Sequence, residues 1–119
     1  MFTDAAEKGH AAAQLRLGAM YNNGEGVLQD YKEALKWYLL AAEQGNNSAQ
    51  NNLGLMYEYG DGVIQDKVYA HMWYNIAASQ GKKKAIENRD SIDKEMTASQ
   101  IEEAQRLARQ CQRNKYKGC

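Results

Sequence analysis

The sequence predicts an all-α protein, an α/α solenoid built from stacked helical hairpins. Three observations support this fold class. The chain of 119 residues contains no proline, which suits long helical segments. A 36-residue repeat is present, since residues 10–45 match residues 46–81 at 18 of 36 positions, far more than chance gives. Each repeat also contains two apolar stripes with the period of an amphipathic helix.

The first helix of each repeat is predicted from one apolar stripe. In the first repeat it consists of residues at i, i+4, i+7 and i+8, namely Ala13, Leu17, Met20 and Tyr21. Gly18 lies inside this stripe, and Gly54 lies at the same position in the next repeat. A glycine destabilises a helix interior by about 1 kcal/mol relative to alanine. We therefore expect a partner helix to approach closely at these glycines, where a Cβ atom would block it.

The second helix of each repeat combines small and large apolar residues, which suits interlocking helix pairs. In the first repeat these residues are Ala34, Trp37, Tyr38, Ala41 and Ala42. Asp30 and Asp66 precede the second helices and are placed to cap their N-termini, and Asp30 with Glu33 has the capping-box pattern. Gly45 and Gly81 follow these helices and are predicted to end them in left-handed geometry.

The N-terminal end departs from the repeat. Residues 1–9 align with the end of a second helix, so we expect a truncated repeat there. Its apolar residues Phe2, Ala5 and Ala6 would lack the partner that full repeats possess. Because exposed apolar patches tend to be covered, we predict either an upstream repeat or self-association through residues 1–8.

The C-terminal end departs in a different way. Residues 82–95 keep the helical phase, but polar residues replace apolar ones, as Arg89 does at the position of Leu53. Such a change is typical of a capping unit, and we predict a divergent C-terminal capping hairpin. The chain is then a single domain, 1–119, in which residues 1–9, the repeats 10–45 and 46–81, and the cap 82–119 follow one another. We expect helices, and no β-sheet, at residues 1–8, 11–23, 30–44, 47–59, 66–80, 82–95 and 98–114.

Four motifs resemble the Sel1-like repeat family. They are Ala-Ala-Glu-Gln-Gly at 41–45, Ala-Gln-x-x-Leu-Gly-x-Met-Tyr at 49–57, Gly-x-Gly-Val-x-x-Asp at 60–66 and Ala-x-x-Trp-Tyr at 70–74. The remainder of the chain resembles the divergent end of bacterial Sel1-like proteins. The resemblance implies a solenoid related to tetratricopeptide arrays, with a right-handed superhelix, that usually serves as a protein-binding scaffold.

Composition and charge exclude several classes of protein. Hydrophobic residues make up 44% of the chain and charged residues 25%, which is typical of a globular domain. The formal net charge is zero, whereas dedicated nucleic-acid binders usually carry a basic excess, so we expect no nucleic-acid partner. No apolar run approaches the ~18 residues of a membrane-spanning helix, so we expect no membrane insertion.

The charge is nevertheless uneven along the chain. Through residue 66 there are nine acidic and four basic residues, and from residue 67 onward there are six acidic and eleven basic residues. The run Lys82-Lys83-Lys84 begins the basic end. We interpret this end as a solvated face of the cap, and the alternative is that it meets an acidic protein or an anionic surface.

No residue pattern indicates catalysis, a metal site or a cofactor, so we expect a protein that is not an enzyme. We interpret His10 as a helix-cap position and His71 as a surface or partly packed residue. The serines lack a nucleophile motif, and Asp61 and Asp66 lack the spacing of a calcium loop. Some cysteine-rich relatives have been assigned penicillin-binding or β-lactamase activity. A weak hydrolase of that type is therefore one alternative, and a structural segment of a longer solenoid is another.

The two cysteines, Cys111 and Cys119, do not have the spacing of a zinc site. The tail could turn back through Gly118 and bring Cys119 beside Cys111, so we predict an intramolecular disulfide, with two free thiols on a frayed tail as the alternative. A disulfide indicates an oxidising compartment. We therefore predict a periplasmic or secreted protein, with the cytoplasm as the alternative.

We predict that the partner is another protein, and differences between the repeats suggest where it binds. Framework positions should be identical in both repeats, whereas positions that face a ligand are free to differ. In related arrays the first helices line the concave face. The candidate contacts are Asn22, Asn23, Asn51, Leu55, Glu58, Tyr59 and Glu87. Leu55 and Tyr59 would supply an apolar anchor ringed by amides, and the alternative is that these positions are unconstrained surface.

Overall fold

The structure is a computed structural model that describes residues 2–119, apart from the side chain of Phe2. These residues form seven α-helices and no β-strand. The helices are α1 (Phe2–Glu7), α2 (Ala11–Asn23), α3 (Tyr31–Ala42), α4 (Asn47–Tyr59), α5 (Lys67–Ser79), α6 (Lys83–Asp93) and α7 (Ala98–Arg113). The predicted all-α fold is confirmed, and the described helices lie at the predicted positions.

The helices stack as hairpins. Helix α2 pairs with α3 and α4 pairs with α5, and each second helix then packs against the first helix that follows it. The dimensions of 44 × 26 × 23 Å reflect this linear stacking. Helix α1 packs against α2 in the same way that α3 packs against α4. Helix α1 therefore occupies the position of the end of a second helix. The handedness of the superhelix stays a prediction.

The N-terminal helix α1 is covered on one side. Ala6 is buried against Ala13, Leu17 and Trp37, so it does not form the uncovered patch that the alignment predicted. The reason is that α2 already supplies the partner surface for this face of α1. Met1 and the Phe2 side chain lie outside the described residues, and self-association through residues 1–8 stays a prediction.

Short turns of one geometry join successive hairpins. Gly45 has a φ of +88°, its N–H donates to Ala42 O over 2.9 Å, and the N–H of Asn46 donates to Ala41 O over 3.2 Å. These two bonds form a Schellman motif, which satisfies carbonyl groups at the end of α3. Equivalent bonds follow α1 and α5, so the predicted left-handed ends of the second helices are confirmed.

Aspartates cap the second helices, as predicted. The side chain of Asp30 accepts from the N–H of Glu33 over 3.2 Å, and that of Asp66 accepts from the N–H of Tyr69 over 3.0 Å. The complete capping box expected at Asp30 does not form. Its second bond would need the backbone N–H of Asp30, which instead donates to Tyr21 O over 2.9 Å.

The interior glycines lie where the two helices of a hairpin meet. A Cβ atom added to Gly18 would lie 2.6 Å from Cδ1 of Tyr38, and one added to Gly54 would overlap the Tyr74 ring. The predicted close approach is therefore confirmed, and a tyrosine ring from the second helix fills the space. Burial raises the pKa of Tyr38 to about 12.

Two buried glutamines connect adjacent helices. The side chain of Gln50 donates to Ala42 O at the end of the preceding hairpin over 3.1 Å, and its Oε1 accepts from Gln80 of its own hairpin over 2.7 Å. Gln14 makes the equivalent bonds one repeat earlier. Because hydrogen bonds satisfy these buried amides, they fix the position of each first helix against two second helices.

The C-terminal cap differs in form from the predicted hairpin. Helix α7 packs along α5 and makes few contacts with α6. Ala108 and Cys111 of α7 belong to the core cluster that contains Met72 and Ile76 of α5. These apolar residues of α5 form a surface against which α7 packs. On α6, by contrast, Arg89 occupies the position that Leu53 holds in the apolar stripe of the preceding repeat.

The cap also buries a histidine. His71 is 1% exposed, so it is not the surface or partly packed residue that the sequence suggested. Its Nε2 lies 2.6 Å from Oδ1 of Asp93 on α6, while its buried Nδ1 has no hydrogen-bond partner. The equivalent positions of the preceding repeat hold Leu35 on α3 and Tyr57 on α4. Between α5 and α6, a polar contact therefore replaces two hydrophobic side chains.

The tail turns back and forms the predicted disulfide. Cys111 and Cys119 are joined, with their Cα atoms 5.6 Å apart. Lys115 and Tyr116 adopt positive φ angles of 54° and 66°, and the N–H of Tyr116 donates to Cys111 O over 2.8 Å. The partly buried Tyr116 also packs against the core, so the tail is part of the packed domain.

We expect Gly54→Ala to lower the free energy of unfolding. The added Cβ would overlap the Tyr74 ring, and overpacking costs about 1–3 kcal/mol, against a gain in helix propensity of about 1 kcal/mol. Urea denaturation measures the difference. In a Tyr74→Leu background the same substitution should become neutral or stabilising, because the ring is gone. A penalty of equal size in both backgrounds would contradict this account.

We expect Cys119→Ser to lower the free energy of unfolding by about 2–3 kcal/mol, because the disulfide closes a short loop and restricts the unfolded chain. Thermal denaturation with and without reductant measures the effect. Reductant should destabilise the natural chain by a similar amount and leave Cys119→Ser unchanged. A natural chain that is insensitive to reductant would show that the bond contributes nothing to stability.

Candidate functional site

Two adjoining cavities lie along the first helices. The cavity between α2 and α4 has a volume of about 750 Å³ and is lined by Ala12, Leu15, Arg16, Ala19, Met20, Glu25, Ser48 and Asn52. The cavity between α4 and α6 has a volume of about 390 Å³ and is lined by Ser48, Asn51, Asn52, Leu55, Lys82, Lys84 and Asn88. Ser48 and Asn52 of α4 line both, and we call the two adjoining cavities together the first-helix groove.

The repeat arranges the groove in rows of equivalent positions on α2, α4 and α6. One row is Arg16, Asn52 and Asn88, and the row one turn earlier is Ala12, Ser48 and Lys84. Successive helices thus present the same two positions with different side chains. Such regularly spaced positions suit an extended polypeptide that crosses several repeats.

Hydrogen bonds connect α6 to α4 within the groove. Nζ of Lys82 donates to Oγ of Ser48 over 3.0 Å, and Nδ2 of Asn88 donates to Oδ1 of Asn51 over 3.0 Å. These bonds hold the α6 wall against α4. The bond to Ser48 also fixes the ammonium group of Lys82 at the groove.

The structure places part of the predicted contact set in or near the groove. Leu55 lines the groove and packs against the cluster that contains Tyr74 and Ile92. Tyr59 is 66% exposed at the end of α4, outside the groove lining, and an apolar anchor shared with Leu55 stays a prediction. Glu87 is exposed on α6, also outside the lining.

Two other predicted contacts, Asn51 and Glu58, form hydrogen bonds within the fold, although Asn51 also lines the groove. Asn51 is 6% exposed and accepts a hydrogen bond from Asn88. Glu58 accepts a hydrogen bond from the hydroxyl of the buried Tyr74 over 2.6 Å. Burial, together with this bond to Glu58, raises the pKa of Tyr74. Asn51 and Glu58 therefore stabilise the interfaces of α4.

The remaining candidates lie at the C-terminal end of α2. Nδ2 of Asn22 donates to Oδ1 of Asn23 over 3.1 Å, and Nδ2 of Asn23 donates to Oε1 of Glu25 over 3.1 Å. Glu25 lines the groove, so this chain of hydrogen bonds lies at its α2 edge. Asn22 and Asn23 are thus peripheral to the groove.

The sequence analysis missed most of the groove lining. Ser48, Asn52, Lys82, Lys84 and Asn88 were not among the candidates. A signal was present, because Ser48 and Asn52 differ from the residues 36 positions earlier, and two of the other residues are lysines of the basic run. Glu87 was the one candidate on α6, because the Lys82-Lys83-Lys84 run was interpreted as a solvated face of the cap.

Within residues 2–119, no cluster of three or more His, Cys, Asp or Glu side chains could hold a metal ion. In the same residues, no helix is both long and apolar enough to span a bilayer. A shallow depression over α7 is lined by residues of that helix alone, so it has no opposing wall. The first-helix groove remains the candidate site.

Stacked helical hairpins and a groove along the first helices define an α-solenoid repeat protein. The Sel1 repeat model matches residues 11–46 and 47–82. These matches cover more than half of the chain, which belongs to the Sel1 repeat family. No curated protein matches the sequence.

Two solved structures support the same assignment. One is the crystal structure of a protective antigen present in uropathogenic Escherichia coli strains that displays an SLR fold, with a TM-score of 0.90 and 38% identity, covering 97% of this chain and 26% of that one. The other is a Sel1 repeat protein from Oxalobacter formigenes, with a TM-score of 0.68 and 44% identity, covering 69% of this chain and 34% of that one. The matches thus span between a quarter and about a third of those proteins.

We expect Glu58→Ala and Tyr59→Ala to differ in their effects on stability, although both residues were predicted contacts. Glu58→Ala leaves the buried hydroxyl of Tyr74 without its acceptor and should cost about 1–3 kcal/mol. Tyr59→Ala removes an exposed side chain and should change stability by less than about 0.5 kcal/mol. Urea denaturation of both variants tests this. Equal effects would show that the Glu58–Tyr74 bond has no special role.

Proposed function

We propose that this chain is a non-catalytic protein-interaction module whose first-helix groove binds a polypeptide segment of a partner protein. Sel1 repeat proteins are generally protein-interaction scaffolds. The observation that carries the proposal is that two adjoining cavities lie along the first helices and share Ser48 and Asn52 in their linings. Adaptor, assembly factor and inhibitor are the roles that such binding would serve.

The composition of the groove suits a polypeptide. Leu15, Met20 and Leu55 offer apolar contacts, and the side-chain amide of Asn52 lies between the two cavities. Extended chains need both kinds of group, because their side chains bury apolar area while their backbone N–H and C=O groups require hydrogen bonds.

The disulfide supports a proposal for the cellular compartment in which the protein acts. Cys111 and Cys119 are bonded, and such bonds persist in oxidising compartments. We therefore propose that the protein acts in the periplasm or outside the cell.

The experiment compares two faces of the molecule. A pull-down from cells of the source organism identifies the partner, and isothermal titration calorimetry measures its affinity. The double variant Leu15→Ala with Leu55→Ala, which removes apolar contacts in the groove, should weaken binding by about tenfold or more. The matched control is Leu39→Ala with Leu40→Ala, which truncates two exposed leucines of α3 outside the groove.

The control should bind the partner as the natural chain does. Circular dichroism verifies that both variants are folded. Unchanged affinity in the folded groove variant, or an equal loss in both variants, would overturn the groove as the binding site.

A further inference from the structure

We propose that the α6 end of the first-helix groove recognises carboxylates, so that its occupant is an acidic, extended polypeptide segment. In this arrangement the acidic side chains lie against α6, and an apolar side chain of the same segment lies toward α2. This inference rests on the proposed function, because it specifies the chemistry of the segment that the groove binds.

The first argument is the charge of the groove lining. Lys82 and Lys84 line the cavity between α4 and α6, and no acidic residue lines it. The cavity between α2 and α4 is balanced, because Arg16 and Glu25 both line it. The positive charge of the groove is thus concentrated at one end, which is complementary to carboxylates.

The second argument is the position of the lysines on α6. Lys82 is the N-cap of this helix, and Lys83 and Lys84 follow it. Helix N-termini favour negative charge, so three cations there are unfavourable for α6 itself. In the part of the chain that the structure describes, none of the three forms an ion pair with a carboxylate. Such a conflict between sequence and local structure is typical of a functional site, and a bound carboxylate would relieve it.

The third argument is the order of groups along the groove. Lys82 is held beside the groove by its bond to Ser48. Asn52 and Asn88 lie on the same row, where their amides can pair with the backbone of an extended segment. Leu15 and Met20 line the opposite end. The groove therefore changes from a charge-balanced end with two large apolar side chains at α2 to a basic end at α6.

The same features favour a protein over a nucleic acid. Proteins that bind single strands stack bases on aromatic side chains. None of the residues that line either cavity is aromatic. Two groove lysines also offer few contacts to a phosphate backbone, whereas they match a short acidic segment.

The test starts from a phage-displayed library of random dodecapeptides, selected on the natural chain. The enriched peptides should carry a net negative charge and at least one large apolar residue. Fluorescence anisotropy then measures the affinity of one enriched peptide and of its twin in which Asn and Gln replace Asp and Glu. The twin should bind about tenfold more weakly, and the affinity of the acidic peptide should fall as salt increases.

Two charge reversals locate the interaction. Lys84→Glu changes a residue that lines the groove, and Lys83→Glu makes the same change at the adjacent exposed residue, which lines neither cavity. Lys84→Glu should weaken the acidic peptide by about tenfold, and Lys83→Glu by less than about threefold. Because both variants have the same net charge, a difference between them shows local recognition.

Several outcomes would overturn the inference. These are equal losses in the two variants, enrichment of neutral or basic peptides, absence of any enriched peptide, or tighter binding of a dodecanucleotide than of the acidic peptide. If the partner still loses affinity with Leu15→Ala and Leu55→Ala, the proposed function stands and only the acidic specificity fails. If both that loss and the difference between Lys84→Glu and Lys83→Glu are absent, the groove itself is not the site.

Discussion

The contact between a tyrosine ring and an interior glycine sets how the two helices of each hairpin pack. Gly54 leaves room that the Tyr74 ring fills, and no side chain with a Cβ would fit there without movement. Because the ring is fully buried, its hydroxyl needs an acceptor, which Glu58 supplies. This packing fixes α4 against α5. The face of α4 that remains toward α2 and α6 can then carry Ser48, Asn52 and Leu55 as the middle of the groove.

Most of the fold could be predicted from the sequence because its signals are local. The apolar period locates the helices, and glycines such as Gly45 mark their ends in left-handed geometry. The placement of α7 could not be predicted in this way, because the apolar stripe of a helix does not identify the surface against which that helix packs. That surface depends on α5, where Met72 and Ile76 replace the Lys36 and Leu40 of the preceding repeat.

Differences between the repeats pointed to Leu55 and Asn51, which both line the groove, and also to Glu58, whose carboxylate accepts from the Tyr74 hydroxyl within the fold; contact of any of them with a partner stays a prediction. The comparison assumed that a position differs because a partner selects it. Asn51 instead differs from Leu15 at a position where it meets Asn88, a residue of the cap. A position can therefore change because its neighbour within the fold has changed. The contacts between α4 and α6 are needed to distinguish a position that changed because of a partner from one that changed because of a neighbour within the fold.

Helix α6 follows the two Sel1 repeats and forms one wall of the groove. Ala85 and Ile92 keep its inner side buried, while Asp93 engages His71 of α5 through a polar contact. Arg89 and Asp93 replace the Leu53 and Tyr57 of the preceding repeat, so α6 lacks the apolar stripe that a further hairpin would bury, a feature typical of terminal repeats. The same freedom from packing lets α6 place lysines beside the groove without disturbing a core. The departure of α6 from the repeat pattern thus also gives the groove its basic end.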